Sequence, residues 1–123
     1  MSYNLLAPVH AIDAGDMSLT SITSAVVETK LQDNIGIQLN WTGTAAGTFD
    51  FQISMDHKED ASGNVQVAGN FVSVPISPAI TASGSADSAY VDLNQISAPY
   101  FRIVYTKNSG SGTLDAYVNG KGV

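Results

Sequence analysis

Two stretches of this chain place a large apolar side chain on every second residue: Ile35-Gly36-Ile37-Gln38-Leu39-Asn40-Trp41 and Thr48-Phe49-Asp50-Phe51-Gln52-Ile53-Ser54-Met55. Residues two apart share one face of a β-strand, whereas a helical face repeats about every 3.6 residues. Each stretch therefore predicts a strand with one buried and one wetted face. Between them, Gly43-Thr44-Ala45-Ala46-Gly47 has the length and the flanking glycines of a turn, which predicts that the two strands form a hairpin.

The rest of the chain extends this pattern. Phe71–Val74 is a short strand halted by Pro75 and Pro78, residues that cannot donate to a ladder. Ala89–Leu93 alternates with Val91 and Leu93 inward. Tyr100–Tyr105 is apolar on both faces except at Arg102 and reads as a central strand. Thr113–Val118 alternates again, and Asn108–Gly112 predicts a second hairpin joining it to its predecessor. Ser24–Leu31 and Met17–Ser21 add two candidate strands, Ala79–Ser88 reads as a loop crossing between sheets, and Asp92–Ile96 as a single helical turn before Pro99. No segment keeps a helical period over three turns. Strands recurring between Gly, Ser, Asn and Pro clusters predict an all-β, antiparallel β-sandwich of about eight strands. Jelly-roll and immunoglobulin-like wirings both satisfy the pattern, and the Cys–Trp–Cys mark of antibody domains is absent. At 123 residues one domain is expected. Residues 1–21 are read as an N-terminal arm or first edge strand, and residues 22–123 as a single sandwich.

Composition narrows the function. The net charge is −6, the one arginine is Arg102, and Lys30, Lys58, Lys107 and Lys121 are scattered. Nucleic acids and anionic membranes need clustered cations, so neither is an expected partner. Without cysteine there is no disulfide framework, thiolate zinc site or Cys nucleophile. No apolar run reaches the ~18 residues of a bilayer-spanning helix. Met1–His10 lacks the basic-then-apolar order of a secretory leader, so synthesis in a cytoplasm without cleavage is expected. The sequon Asn40-Trp41-Thr42 sits in a predicted strand and is read as chance.

Several residue groups carry potential chemistry. Asp56, Glu59, Asp60 and Asn64 crowd one turn with oxygens that suit Ca²⁺. Their spacing is not that of an EF-hand, and a solvated turn is the simpler expectation. Asp13-Ala14-Gly15-Asp16 offers the acids of a cation loop as well, and is read as a polar turn before Met17. His57, in an acidic turn, is expected at the surface. No G-x-S-x-G elbow occurs, and short loops leave little material for a two-carboxylate cleft. The expectation is a non-enzyme without cofactors; a small hydrolase has no residue constellation to recommend it. Tyr90, Tyr100, Arg102 and Tyr117 are candidate interface residues, since outward Tyr beside Arg suits a protein contact. The same rings suit stacking on a sugar. Trp41 closes an apolar face, so its indole is expected in the core with its N–H near a loop carbonyl. Arg102 needs a partner if buried, and Asp92 or Asp115 are the candidates.

The run Asn34–Thr44 (NIGIQLNWTGT), followed by Phe49, Phe51 and Ser54-Met55-Asp56, resembles a group of small tailed-bacteriophage virion proteins. So do Ala98–Thr106 (APYFRIVYT), Ser109–Leu114 (SGSGTL) and the ending at Gly120-Lys121. The resemblance spans roughly Asn34 to Val123 and fades over Ser2–Leu31. It implies a jelly-roll-like sandwich on the outside of a phage particle, a capsid decoration or cement protein or a tail-associated one. Such proteins pair with the major capsid protein or another virion protein and often form dimers or trimers, and no catalytic residue is implied. The alternative is a glycan-binding or host-recognition module of a tail or fibre. On the decoration reading, deleting residues 2–16 is expected to leave a folded β domain that attaches weakly.

Overall fold

The computed structural model describes residues 5–29, 34–76, 79–94 and 98–121. Among these, every strand ladder is antiparallel and no helix occurs. One sheet has four strands in the order β1 (Leu5–Asp16), β12 (Thr113–Lys121), β4 (Asn34–Trp41) and β10 (Asp87–Asn94). The second is built on β11 (Tyr100–Ser109) and β5 (Ala46–Ser54). On one side β11 is flanked by β2 (Ser21–Thr23) and β3 (Val27–Glu28); on its other side β5 is flanked by β8 (Val72–Ser73) and β9 (Thr81–Ser83). A separate two-stranded hairpin, β6 (Lys58–Glu59) with β7 (Val65–Val67), is inserted in the chain between β5 and β8.

The core lies between the two main sheets, where alternation sends the apolar sets. Ile35, Ile37, Leu39 and Trp41 of β4 and Leu114, Ala116 and Val118 of β12 enter from one side; Phe49 and Phe51 of β5 and Phe101, Ile103 and Tyr105 of β11 enter from the other. Trp41 is tilted against Phe49 at 5.2 Å, and its indole donates to the Ser85 carbonyl at 3.0 Å, the arrangement expected of it. The Tyr105 hydroxyl is buried with no hydrogen-bond partner among the described residues, at a cost of about 1–3 kcal/mol that surrounding burial offsets. Its unrelieved burial raises the phenol's pKa.

Neither predicted hairpin forms. β4 and β5 belong to opposite sheets, as do β11 and β12. Instead β4 pairs with β12 from Asn34–Lys121 to Trp41–Leu114, and β5 pairs with β11 from Ala46–Ser109 to Ser54–Tyr100. The connecting turns pair with each other: Thr42 N–H donates to the Thr113 carbonyl and Thr44 N–H to the Ser111 carbonyl. The result is one antiparallel ribbon that bends at a corner and passes from one sheet to the other, its register broken once, by a bulge between Lys107 and Ser109. Glycines make the bend possible. Gly43 and Gly110 hold positive φ, 85° and 78°, a region costly for residues with a Cβ. At Gly112 a Cβ would overlap the Thr42 carbonyl oxygen. Glycine at a strand corner signalled a turn correctly, but alternation reports which face a residue occupies, not which strand it pairs with.

Other expectations shift in detail. Leu5–Asp16 is an edge strand paired with β12 from Leu5–Lys121 to Asp16–Thr113, its register shifting at three places, so its described residues form the first edge strand and not a free arm. Ala11, Ile12 and Met17 are buried in the core. Met17–Thr20 is a turn leading into β2, and Ser24–Leu31 contributes only β3 among its described residues. Phe71–Val74 narrows to β8, and Ala79–Ser88 carries β9 before it crosses to β10. Asp92 lies in β10, not in a helical turn; Gln95 and Ile96, with Pro78, lie outside the described residues.

Candidate functional site

The outer face of the four-stranded sheet carries a transverse row set by register. Tyr90 on β10 faces Gln38 on β4, Gln38 faces Tyr117 on β12, and Tyr117 faces His10 on β1. The adjoining row runs through Asp92, Gly36 and Asn119. Pro8, Tyr90, Tyr117 and Asn119 stand around Gly36 and Gln38 on this face and leave a depression between the two tyrosines. The resulting groove holds about 200 Å³ and is lined by Pro8, Gly36, Gln38, Tyr90, Tyr117 and Asn119.

The two rings are placed differently. A Cβ at Gly36 would meet Asn119 Oδ1 at 2.7 Å and the Tyr90 hydroxyl at 3.1 Å, so the tip of Tyr90 reaches across β4 into the space the glycine leaves. Tyr90 is nevertheless 67% exposed. Tyr117 stacks on the His10 ring, centroids 4.4 Å apart and planes 9° from parallel. His10 Nε2 lies 2.9 Å from Asp115 Oδ1, which also accepts the Ala14 N–H. The Ala14 N–H and the His10 ring hold the Asp115 carboxyl below its usual pKa. Ala14 has φ 49° inside the β1 bulge, so this cluster of His10, Asp13 and Asp115 fastens the bulge and orients the imidazole behind Tyr117. In the same segment Asp16 caps the following turn through the Ser18 N–H and hydroxyl.

A second polar assembly closes the neck of the β6–β7 excursion. Asp56 accepts the backbone N–H and the side-chain amide of Asn70, and the Ser54 hydroxyl, which together lower its pKa. His57 is 4% exposed, contrary to the surface position expected of it. Its Nδ1 lies 2.9 Å from the Ala68 carbonyl and its Nε2 2.7 Å from Glu59 Oε2. A ring with acceptors at both nitrogens is satisfied as imidazolium. The Ala68 carbonyl first and the Glu59 carboxylate second raise its pKa; burial and Arg102 act against them. Phe71 and Tyr100 pack on the ring at 5.5 and 4.8 Å.

This neck accounts for the remaining candidates. Asp56, Glu59 and Asp60 do not converge as ion ligands among the described residues: Asp56 ties the neck and Glu59 meets His57. Asp60 caps the tip by accepting the Ser62 and Asn64 N–H groups, with Asn64's side-chain amide on its other oxygen. Tyr100 is 2% exposed and so is no open interface residue. Alternation placed it on the outer face, but the excursion covers that face, and its hydroxyl accepts the Glu59 N–H at 3.2 Å. Arg102 pairs with neither Asp92 nor Asp115, which belong to the other sheet. Its Nε donates to Gln52 Oε1 at 2.7 Å and its guanidinium lies 4.0 Å above the Phe71 ring.

The His57 neck has a pH signature. Since its folded pKa is raised, its stabilisation is complete below the unfolded value of about 6.5 and is lost as pH rises through the folded value. His57→Gln is expected to lower stability by about 2 kcal/mol at pH 6 and to flatten the decline on the alkaline side. Urea midpoints from pH 5.5 to 9 check both.

A scan against protein-family models finds no match, and a search of curated proteins finds none either. Solved structures do match. The SPBc2 prophage-derived protein YomS superposes with a TM-score of 0.52 at 8% identity, covering 98% of this chain and 96% of its own. The dimeric latent PorU of Porphyromonas gingivalis gives a TM-score of 0.42 at 9% identity; this chain spans 12% of its length. The first likeness is one of fold.

Proposed function

We propose that this chain is a non-enzymatic structural component of a bacteriophage particle, a decoration or cement protein bound to the outside of the capsid. The observation that carries the reading is the fold shared with a prophage-derived protein over nearly the whole of both chains. The surface is compatible with it. Met55, Val65, Val67 and Val72 are exposed apolar side chains concentrated on and beside the β6–β7 excursion, and apolar groups gathered on a projecting element suit burial against a partner subunit. In this reading the excursion, pinned at its neck by Asp56 and His57, docks on the major capsid protein or another virion protein, while the rigid sandwich faces outward. A net charge of −6 keeps a high-copy component soluble before assembly.

The test is particle composition. Virions purified from a lysogen carrying the gene are expected to contain the protein in fixed ratio to the major capsid protein, by quantitative mass spectrometry. Val65→Asp together with Val67→Asp is expected to leave a folded protein that no longer sediments with particles. Its absence from wild-type particles would overturn the reading.

A further inference from the structure

We propose that the groove over Gly36 binds one neutral pyranose ring of a saccharide, stacked on Tyr90 and bounded by Tyr117. The inference goes beyond the particle reading and stands on the groove alone.

Four observations point to this ligand class. The groove volume of about 200 Å³ is on the scale of a single sugar ring rather than a peptide or nucleotide. Its walls are two tyrosines, and the open ring of Tyr90 offers a flat apolar face of the kind that packs against the C–H face of a pyranose. Gln38 and Asn119 bring amide donors and acceptors to the same depression, suited to hydroxyl groups around a ring edge. Finally, no lining residue is charged, Asp92 is the register partner of Gly36, and the chain carries a net charge of −6. That field disfavours uronates, sialic acids and phosphosugars, so the complementary ligand is uncharged.

The structure also orients Tyr117, and leaves room for Tyr90 to lie over β4, before any ligand arrives. Asp115 fixes His10, His10 stacks on Tyr117, and Gly36 makes room for the tip of Tyr90. A ring held in place, as Tyr117 is, loses little freedom on binding. Gly36 is thus a specificity-determining position: a methyl group there would displace both the Tyr90 hydroxyl and the Asn119 amide, which are side-chain ends able to move without unfolding the sheet.

The experiment is an amide-NMR titration of the full chain with methyl β-glucoside, methyl β-galactoside and N-acetylglucosamine, with glucuronate as the anionic control. Each neutral sugar is paired with a polysaccharide of the same sugar, followed by affinity electrophoresis. At least one neutral probe is expected to shift the Gly36, Gln38, Tyr90, Tyr117 and Asn119 resonances with a Kd of about 1 mM, the range of a single-ring contact. Tyr90→Ala and Gly36→Ala, which leave the core untouched, are expected to weaken it at least about tenfold while other resonances keep their positions. Retention by the polymer identifies a glycan chain as the source of the ring, and response to the glycoside alone identifies a free sugar. Absence of groove shifts with every neutral probe, shifts that survive Tyr90→Ala, or equal response to glucuronate overturns the proposal. None of these results bears on whether the protein resides in the particle.

Discussion

Gly112→Val is expected to abolish the native fold or to lower its stability by more than about 4 kcal/mol, seen as a fall of over ~10 °C in Tm by circular dichroism. The argument is steric. A Cβ at residue 112 would overlap the Thr42 carbonyl oxygen, a backbone atom that cannot rotate aside, at the corner where both connections cross between sheets. Moving Thr42 would break its hydrogen bond to Thr113 and, next along, that of Thr44 to Ser111. Gly63→Ala is the control. Gly63 also has positive φ, 86°, but nothing lies within 4 Å of its would-be Cβ. It is expected to cost only about 1 kcal/mol, the conformational part alone. Similar losses for both substitutions would show that the corner tolerates separation and that the fold does not rest on it.

Removing residues 2–16 is expected to leave a chain without a cooperative unfolding transition. The deletion removes all of β1, takes Ala11 and Ile12 from the core, and detaches Met17, which is fully buried and donates its N–H to the Gly112 carbonyl. Loss of a buried isoleucine alone costs about 2–5 kcal/mol, a large fraction of the about 5–15 kcal/mol that holds a domain folded. It also bares the edge of β12, a template for aggregation. Near-ultraviolet circular dichroism and urea titration of the truncated protein check the outcome. A sharp transition near the full-length midpoint would restore the view of this segment as a dispensable arm, the expectation that its weak alternation had suggested.

How much was legible in the sequence follows from what period two reports. It placed the inward faces of β4, β10, β11 and β12 and that of β5 at Phe49 and Phe51, though not at Met55, which lies beyond the strand end and is exposed while Ser54 is buried; it also buried Trp41, found its loop carbonyl, and set Tyr90 and Tyr117 on the outer side of their strands. It could not choose partners, because a hairpin turn and a sheet-to-sheet corner use the same glycines. The neck was hidden for a different reason: His57 is buried by Ala68, Phe71 and Tyr100, contacts made by folding the excursion back on itself, while its own neighbours in sequence are charged. Tyr100 and Arg102 were misread through that same covering. Gly36 did carry a usable signal, since glycine within a strand marks a close approach, but the two tyrosines it serves sit on strands far away in the chain.

The bent ribbon has a kinetic consequence. Its two arms have no local contact from which to start: the pairing nearest in sequence is Ser54 with Tyr100, and every further rung to Asn34 with Lys121 joins residues still more distant along the chain. Loop-closure entropy must be overcome before the first rung forms, so such a topology folds slowly, in milliseconds to seconds. Once Ser54 meets Tyr100, each later rung closes onto its predecessor, and the corner glycines let the zipper turn from the β5–β11 sheet into the four-stranded sheet without stopping. Because that entropy grows only with the logarithm of loop length, extra residues at the exposed tip around Gly63 would hardly slow the encounter, which makes the excursion the place where such a chain can vary in length without losing its ability to find its fold.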